Sequence, residues 1–213
     1  MVMCSIIGSA ASRLVYNGLV SSGATSSSFT LLNVPLGDAD ASRVVYIAIS
    51  TSAGSAQTSV TLGGVAMSLK APGPTSSLGL SIHSLAFPTG TSATVFIDYG
   101  TPTGGGQTVF SYSAYNQQST TATATANARS ATGANVNVSA NTSANGFLIG
   151  VSMGVVASAT GWTGLTQDGA AAPVATFLAK SASASYVVAA APRAITATAS
   201  GATTNQAVVL SMP

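Results

Sequence analysis

Short runs in which apolar residues alternate with Ser, Thr or another small polar residue recur along the chain, about every 10 to 15 residues, and Gly, Pro, Asn or Ser separate them. Alternation with a period of two is typical of strands that bury one face, and this spacing is typical of a sandwich or barrel. Gln107 to Tyr115 is the clearest example. The pattern predicts an all-β fold, with about a dozen antiparallel strands in a two-sheet, jelly-roll-like β-sandwich.

Two segments predict more specific features. Gly63-Gly64 separates Val60–Leu62 from Val65–Leu69 and predicts a hairpin, because a two-residue hairpin loop needs positive φ angles that glycine adopts freely. The continuous apolar run from Gly146 to Val156 predicts a central strand that is buried on both faces.

Three other segments are less regular. The Thr, Ala, Asn and Ser tract over 119–145 is compatible with edge strands or with a long exposed connection. Asp168 to Pro173 is predicted as a loop, and Tyr186 to Ala190 as a strand. The length of 213 residues is enough for one large β domain. We therefore predict a single sandwich domain over 26–213, preceded by an N-terminal strand or arm over 1–25.

Charged residues make up only 5% of the chain, with four Asp, no Glu, one His and one Cys. Catalysts that move protons and sites that bind metals need several titratable groups close together. We therefore predict no enzymatic activity, no catalytic residues, no cofactor and no metal. The 46% of hydrophobic residues and the mean hydropathy of +0.47 are the reverse of the composition of disordered chains, so the chain is expected to fold.

The six basic residues are spread over the whole sequence, so no basic stripe is predicted that could bind a nucleic acid backbone. The apolar start lacks the basic region of a signal peptide, and the Ala, Ser and Thr-rich runs are too polar to span a bilayer. Neither nucleic acid nor a membrane is an expected partner, and synthesis in the cytoplasm is expected.

Two motifs resemble functional sites. Gly150-Val-Ser152-Met-Gly154 matches the nucleophile elbow of hydrolases, which needs a helix after the serine; the β-branched residues that follow predict a strand instead. Asp38 and Asp40 could bind calcium, but no third acid is near, so a polar turn is predicted. His83 lies opposite the apolar members of its run and is predicted to face solvent or an interface.

Tyr112, Tyr115 and Trp162 are the candidate ligand or interface residues, because aromatic rings stack on sugars and nearby amides bind hydroxyls. The alternative is that these rings fill the core or close the ends of the sheets, as large aromatic residues in sandwiches commonly do.

Three segments together carry a resemblance: Val60-Thr-Leu-Gly-Gly-Val-Ala-Met67, the stretch from Leu80 to Val95, and Thr160-Gly-Trp-Thr163. Over about residues 25 to 213 the chain resembles β-sandwich structural proteins of tailed bacteriophages. The resemblance implies a non-enzymatic virion protein, either a capsid decoration protein on the outer surface or a glycan- or receptor-binding module of a tail fibre. It also implies a homo-oligomer, such as a trimer, whose partners are the major capsid protein, tail components or surface glycans.

Overall fold

The computed structural model describes residues 12–52, 57–74, 79–101, 105–131, 135–155, 159–174, 177–184 and 190–213. Within these ranges the protein consists of antiparallel strands in four sheets and contains no helix, so the predicted all-β sandwich architecture is confirmed. We name the sheets by half and by position, in their strand order. The first inner sheet is β1 (Arg13–Ser22), β9 (Gln107–Tyr115), β3 (Val44–Thr51), β7 (Gly79–Ala86) and β6 (Ser68–Pro72), and the first outer sheet is β2 (Ser28–Pro35), β8 (Ser92–Asp98), β4 (Ser59–Leu62) and β5 (Val65–Ala66). The second inner sheet is β10 (Ala124–Ser130), β17 (Thr204–Met212), β12 (Phe147–Val155), β15 (Phe177–Ala184) and β14 (Thr166–Val174), and the second outer sheet is β11 (Asn135–Asn141), β16 (Pro192–Ser200) and β13 (Ala159–Thr163).

The four sheets are stacked as four layers. One core lies between the first outer and first inner sheets, and another lies between the second inner and second outer sheets. A third core joins the two inner sheets and includes Tyr46 and Phe147, whose rings meet edge to face at 5.6 Å. The structure therefore has two sandwiches packed back to back, where the sequence predicted one pair of sheets.

The inner sheets are buried on both faces because each lies between two other layers. Alternate residues of β3 show this directly: Tyr46 belongs to the core between the inner sheets, whereas Val45 and Ile47 belong to the core of the first sandwich. Every described residue of β3 and β9 is buried, as is β12 up to Gly154. The prediction of a central, two-sided strand over Gly146–Val156 is confirmed by β12.

The second half, residues 124–213, repeats the strand order of the first half, residues 12–115. The inner sheets read β1-β9-β3-β7-β6 and β10-β17-β12-β15-β14, and the outer sheets read β2-β8-β4 and β11-β16-β13. In each pair of lists the strands correspond one to one in chain order; β5 is the one strand of the first half without a counterpart among the described residues. The protein is therefore an internal structural duplication.

The same β-bulge occurs in both halves. Lys70 is the extra residue where β6 pairs with β7, and Asp168 is the extra residue where β14 pairs with β15. Contacts between the halves are also reciprocal: β1 and β9 contact β14, while β10 and β17 contact β6. Such an exchange of equivalent contacts is the property of an isologous interface, so an approximate twofold axis relates the two halves.

Other predictions are settled strand by strand. The hairpin is confirmed: Leu62 pairs with Val65, and Gly63 and Gly64 have φ angles of 57° and 82°. The tract over 119–145 forms the edge strands β10 and β11. The predicted loop over Asp168–Pro173 is wrong, because small residues there continue strand β14 beside β15.

Some predictions involve residues outside the described ranges. Of the predicted strand Tyr186–Ala190, only Ala190 is described. Residues 1–11 of the predicted N-terminal segment also lie outside, whereas Arg13–Ser22 forms β1 and pairs with β9 of the same chain. The division of the chain at residues 25 and 26 stays a prediction.

Candidate functional site

The three predicted aromatic residues lie in three different environments. Tyr112 is buried between the two inner sheets, Tyr115 is buried at the end of β9 against the loop before β3, and Trp162 lies in the second outer sheet. They do not form one surface. Their role as ligand or interface residues stays a prediction, and each has a structural partner instead.

Tyr112 is part of a polar cluster where β14 crosses the first inner sheet. Its hydroxyl donates a hydrogen bond to Asp168 Oδ2 at 2.9 Å, and its ring packs on Tyr16 with centroids 5.2 Å apart. Burial and the nearby Asp168 carboxylate raise the pKa of Tyr112 well above its usual value. The pKa of Asp168 is itself raised, because the desolvation caused by burial outweighs the hydroxyls of Ser183 and Tyr112, which favour the ionised form.

Tyr115 belongs to a rigid corner that is built around a buried arginine. The Tyr115 hydroxyl donates to the carbonyl of Asp38 at 3.0 Å, and the guanidinium of Arg13 lies 4.5 Å from the centre of its ring. Arg43 is 1% exposed, and the five N–H groups of its guanidinium donate hydrogen bonds to backbone carbonyls of the two loops beside it. These acceptors are Leu36, Gly37, Asp38, Phe87, Thr89 and Gly90.

The same corner decides between a turn and a calcium site. The Asp40 carboxylate accepts hydrogen bonds from the backbone N–H and the hydroxyl of Ser42, and the Asp40 carbonyl accepts from Arg43 N–H at 3.0 Å. The Asp38 carbonyl already accepts hydrogen bonds from the Arg43 guanidinium and the Tyr115 hydroxyl. The guanidinium therefore fills the position that a cation among these carbonyls would take, and the predicted polar turn is confirmed.

Trp162 explains one glycine of the G-x-S-x-G motif. A Cβ atom at Gly150 would lie 2.9 Å from Leu165 Cδ1 and 3.0 Å from Trp162 Cη2, so the indole packs directly on the backbone of β12. Ser152 lies within β12, between Lys180 of β15 and Ala207 of β17, and it is 5% exposed. The predicted strand at this motif is confirmed, and the sharp turn of a nucleophile elbow is not formed there.

His83 does not face solvent, and that prediction is wrong. Leu80 and Ile82 face the second half, so the opposite side of β7 faces the first outer sheet and not water. His83 is 6% exposed, and its Nε2 is 3.1 Å from Ser81 Oγ. Burial lowers the pKa of His83 to about 4.

A second buried polar group lies at the far end of the same sandwich. The hydroxyl of Tyr99 donates to Gln107 Oε1 at 2.9 Å and also lies near the side chains of Thr51 and Gln57. Burial raises the pKa of Tyr99 to about 12. The amide nitrogen of Gln107 has no protein partner, so this neutral group has remaining capacity for a hydrogen bond.

The outer face of the second outer sheet carries rows of exposed amide and hydroxyl side chains. Asn135, Asn137, Ser139 and Asn141 of β11 are exposed in alternation with buried apolar residues. On the adjacent strand β16, Thr198 pairs with Asn135 and Thr196 pairs with Asn137. The Thr196 hydroxyl donates to Asn137 Oδ1 at 2.8 Å. Among the described residues of this face there is no charged side chain.

The outer face of the first outer sheet is less uniform. Phe96 lies at its centre, partly exposed, between Thr30 and Thr61 on the neighbouring strands. Asp98 lies two pairs further along β8, and Leu32 of β2 is 62% exposed. This face therefore combines an aromatic ring with hydroxyls and one carboxylate.

Sequence reasoning missed Arg43 and Asp168. Asp168 had one usable signal, because it is an acid that small or apolar residues follow from Gly169 to Val174. Within the described ranges no three His, Cys, Asp or Glu residues are close enough to hold a metal ion. No described helix has the length and hydrophobicity to cross a bilayer.

Comparisons with known proteins add little. No family model matches the chain, and no curated protein matches its sequence. A conserved protein of unknown function from Pseudomonas aeruginosa PAO1 is 14% identical, with 94% of this chain and 100% of the other covered and a TM-score of 0.32. A turret protein of Sulfolobus turreted icosahedral virus is 16% identical, with 94% and 98% covered and a TM-score of 0.21. Both similarities are too weak to carry an argument about function.

Proposed function

We propose that this protein is a non-enzymatic structural component of a tailed-phage virion, a decoration protein on the outer surface of the capsid. The observation that carries the proposal is the outer face of the second outer sheet, where the side chains are uncharged Asn, Ser and Thr. A surface of this kind stays hydrated without charge, which suits a protein that is packed in many copies on a shell.

The strand order supports a rigid module. With the strands of the first half numbered one to eight, and β6 left out, the inner sheet reads 1-8-3-6 and the outer sheet reads 2-7-4-5. We infer that the first half is a jelly roll, an architecture that viral capsid domains share with lectins and cupins, and that the second half is the same fold without a described counterpart of β5. Two such modules fused through their inner sheets leave two outer faces, at opposite ends of the stack.

Co-sedimentation with virion shells tests this function. The purified full-length protein is mixed with shells that lack it, and the bound protein is measured across a titration, with the free protein's mass measured by light scattering. Saturable binding by a trimer or other oligomer is expected. A monomer that never sediments with shells would contradict the proposal.

Variants on the two outer faces sharpen the test. Asn137→Arg places a charge on the second outer face, and Thr30→Arg places one on the first outer face; both positions are exposed. If one face contacts the shell, one variant loses binding and the other keeps it. Circular dichroism of both variants controls for folding.

The alternative function is binding of a carbohydrate or host receptor in a tail fibre. Phe96 between Thr30 and Thr61, with Asp98 beside it, favours this alternative, because sugars are held by aromatic stacking and by hydrogen bonds to hydroxyls and carboxylates. A glycan array with the wild type and Phe96→Ala tests it. Binding that the variant loses supports the alternative, and no binding by the wild type excludes it for the glycans on the array.

A further inference from the structure

The interface between the halves is built differently at its two equivalent places. The strand pairings, followed outward from the two bulges, give the equivalent positions in the two halves. Asp168 corresponds to Lys70, Ser181 to Ile82 and Tyr112 to Leu210. Tyr16, which pairs with Tyr112, corresponds to Thr125, which pairs with Leu210. At one of the two equivalent places the interface is therefore packed with Leu210 and Ile82. The fold does not require the polar cluster of Tyr112 and Asp168 at the other place.

Asp168 reaches from one half into the other at this cluster. Its bulge frees it from the ladder of β14, and its carboxylate accepts the Tyr112 hydroxyl of the opposite half at 2.9 Å. The Tyr16 hydroxyl lies so close to Gly169 that no side chain would fit at that position. The contact between β14 and the strands β1 and β9 therefore includes one carboxyl group and two phenols, together with the ring of Phe110 against Gly169.

Among the described residues, no basic side chain acts on this carboxylate. The groups that face it are Tyr16 from β1, Tyr112 from β9, and Ser181 and Ser183 from β15. Lys180 is adjacent in β15 but pairs with Ser152 on the opposite side of the second inner sheet. Ser181 Oγ is fully buried beside the Tyr112 hydroxyl, so a neutral carboxyl group could donate to it or to a phenol oxygen.

We propose that Asp168 is a proton-controlled latch between the two halves: when it is protonated, β14 is held against β1 and β9, and when it is ionised, this contact loosens. An ionised carboxylate in a partly desolvated interface keeps its charge at an energetic cost, whereas the neutral acid both donates and accepts hydrogen bonds there. The raised pKa of Asp168 agrees in direction. Acidification from neutral pH would therefore tighten the packing of the halves.

The latch is tested in the wild-type protein by carboxyl ¹³C NMR. The chain has four Asp and no Glu, so only four side-chain carboxyl signals must be assigned. One signal is expected to titrate above the ordinary range of Asp, and the amide signals of β1 and β14 are expected to shift at the same pH. If no Asp titrates late, or if it does so without a response in β1 and β14, the proposal is wrong.

Variants give a second readout of the same proposal. Asp168→Asn imitates the neutral acid, so its melting temperature should exceed that of the wild type at pH 7, and the difference should disappear near pH 4. Asp38→Asn, at an exposed position, is the matched control and should show no such crossing. Tyr112→Phe removes a donor to the ionised form and should move the late carboxyl signal to a higher pH. An Asp168→Asn protein that is less stable than the wild type at pH 7 would overturn the latch.

Discussion

Lys70 and Asp168 occupy the same position in the two halves of the protein. Each is the bulged residue between the last two strands of an inner sheet, and each reaches across the chain's approximate twofold axis. Lys70 Nζ donates to the carbonyl of Thr120, in the segment before β10, at 2.9 Å, while Asp168 accepts from Tyr112 on β9. The backbone geometry of the bulge is shared, but one position holds an exposed contact and the other a partly buried one.

Arg43 is expected to be among the most sensitive positions for folding. Arg43→Met removes the guanidinium donor from six backbone carbonyls, of which Leu36 still accepts from Ser113 and Asp38 from Tyr115. Each buried acceptor that is left unpaired costs about 1 to 3 kcal/mol. We expect the free energy of unfolding in urea to fall by at least about 3 kcal/mol. Arg43→Lys should be intermediate, because an ammonium group has fewer donors than a guanidinium.

Arg129→Met is the matched control for Arg43, since Arg129 lies exposed on the edge strand β10. Its effect should stay within about 0.5 kcal/mol. Equal effects of the two substitutions would show that the carbonyl cage contributes little to stability.

His83 makes the stability of the protein depend on pH below neutrality. The fold keeps the ring neutral and lowers its pKa from 6.5 to about 4, so the unfolded chain binds a proton more readily. Stability from this group is therefore full above pH 6.5 and is lost as the pH falls toward 4, by about 3 kcal/mol in total. The difference between the unfolding free energies of the wild type and His83→Gln should therefore change by this amount between neutral pH and pH 4.

Asp168 has the opposite effect on the pH dependence of stability, but it is present in both the wild type and His83→Gln and lies in a different interface. Its contribution therefore cancels when the two proteins are compared at the same pH. The protein has a single His, so its ring signals can be followed directly by ¹H NMR. A ring that titrates near 6.5 in the folded protein would contradict the buried position.

Gly150 is expected to report on the packing of Trp162. Gly150→Ala adds a methyl group into the contact with the indole and Leu165, and overpacking of this kind costs about 1 to 3 kcal/mol. The single Trp makes fluorescence specific: its emission should move to longer wavelength as the ring is displaced. Gly161→Ala is the control, because its nearest neighbour would be Thr198 Oγ1 at 3.4 Å, and its spectrum should not change.

Phe147 tests whether the two halves unfold as one unit. Its ring is 2% exposed and packs on Tyr46 of the other half, and truncation of a buried Phe costs about 3 to 5 kcal/mol. Phe147→Ala should lower the urea midpoint of unfolding equally for both halves. Near-UV circular dichroism of tyrosines such as Tyr99 reports on the first half, and fluorescence of Trp162 reports on the second. Leu32→Ala, at a residue that is 62% exposed, should leave the midpoint unchanged. Separate transitions already in the wild type would show that the halves are independent.

The sequence allowed the strands to be predicted, but not the number of layers. Alternation of apolar and hydroxyl residues indicates strands with one solvent face, yet Ser50, Thr108 and Ser181 of the inner sheets are fully buried. These hydroxyl side chains are small enough to pack between layers, so their presence concealed the second buried face. The error for His83 has the same origin, because the face opposite Ile82 is covered by the first outer sheet.

The duplication could not be recognised from residue types. Equivalent positions hold Tyr112 and Leu210, or Lys70 and Asp168, so the halves agree in register and connectivity but not in side-chain chemistry. The candidate aromatic residues were chosen by type alone, and type does not reveal which layer a ring occupies. The outer faces were more accessible to prediction, because the alternation of Asn and Val in β11 marks its exposed side directly.

Covalent joining of the two halves has a consequence for how the protein behaves on dilution. Two separate subunits that met through an isologous interface would come apart at low concentration, since their association depends on mass action. Here the segment over 116–123 connects β9 to β10, so the equivalent interface forms within one molecule at any concentration. The paired sandwiches thus persist as a unit in the first molecules made, before any larger assembly exists to hold them.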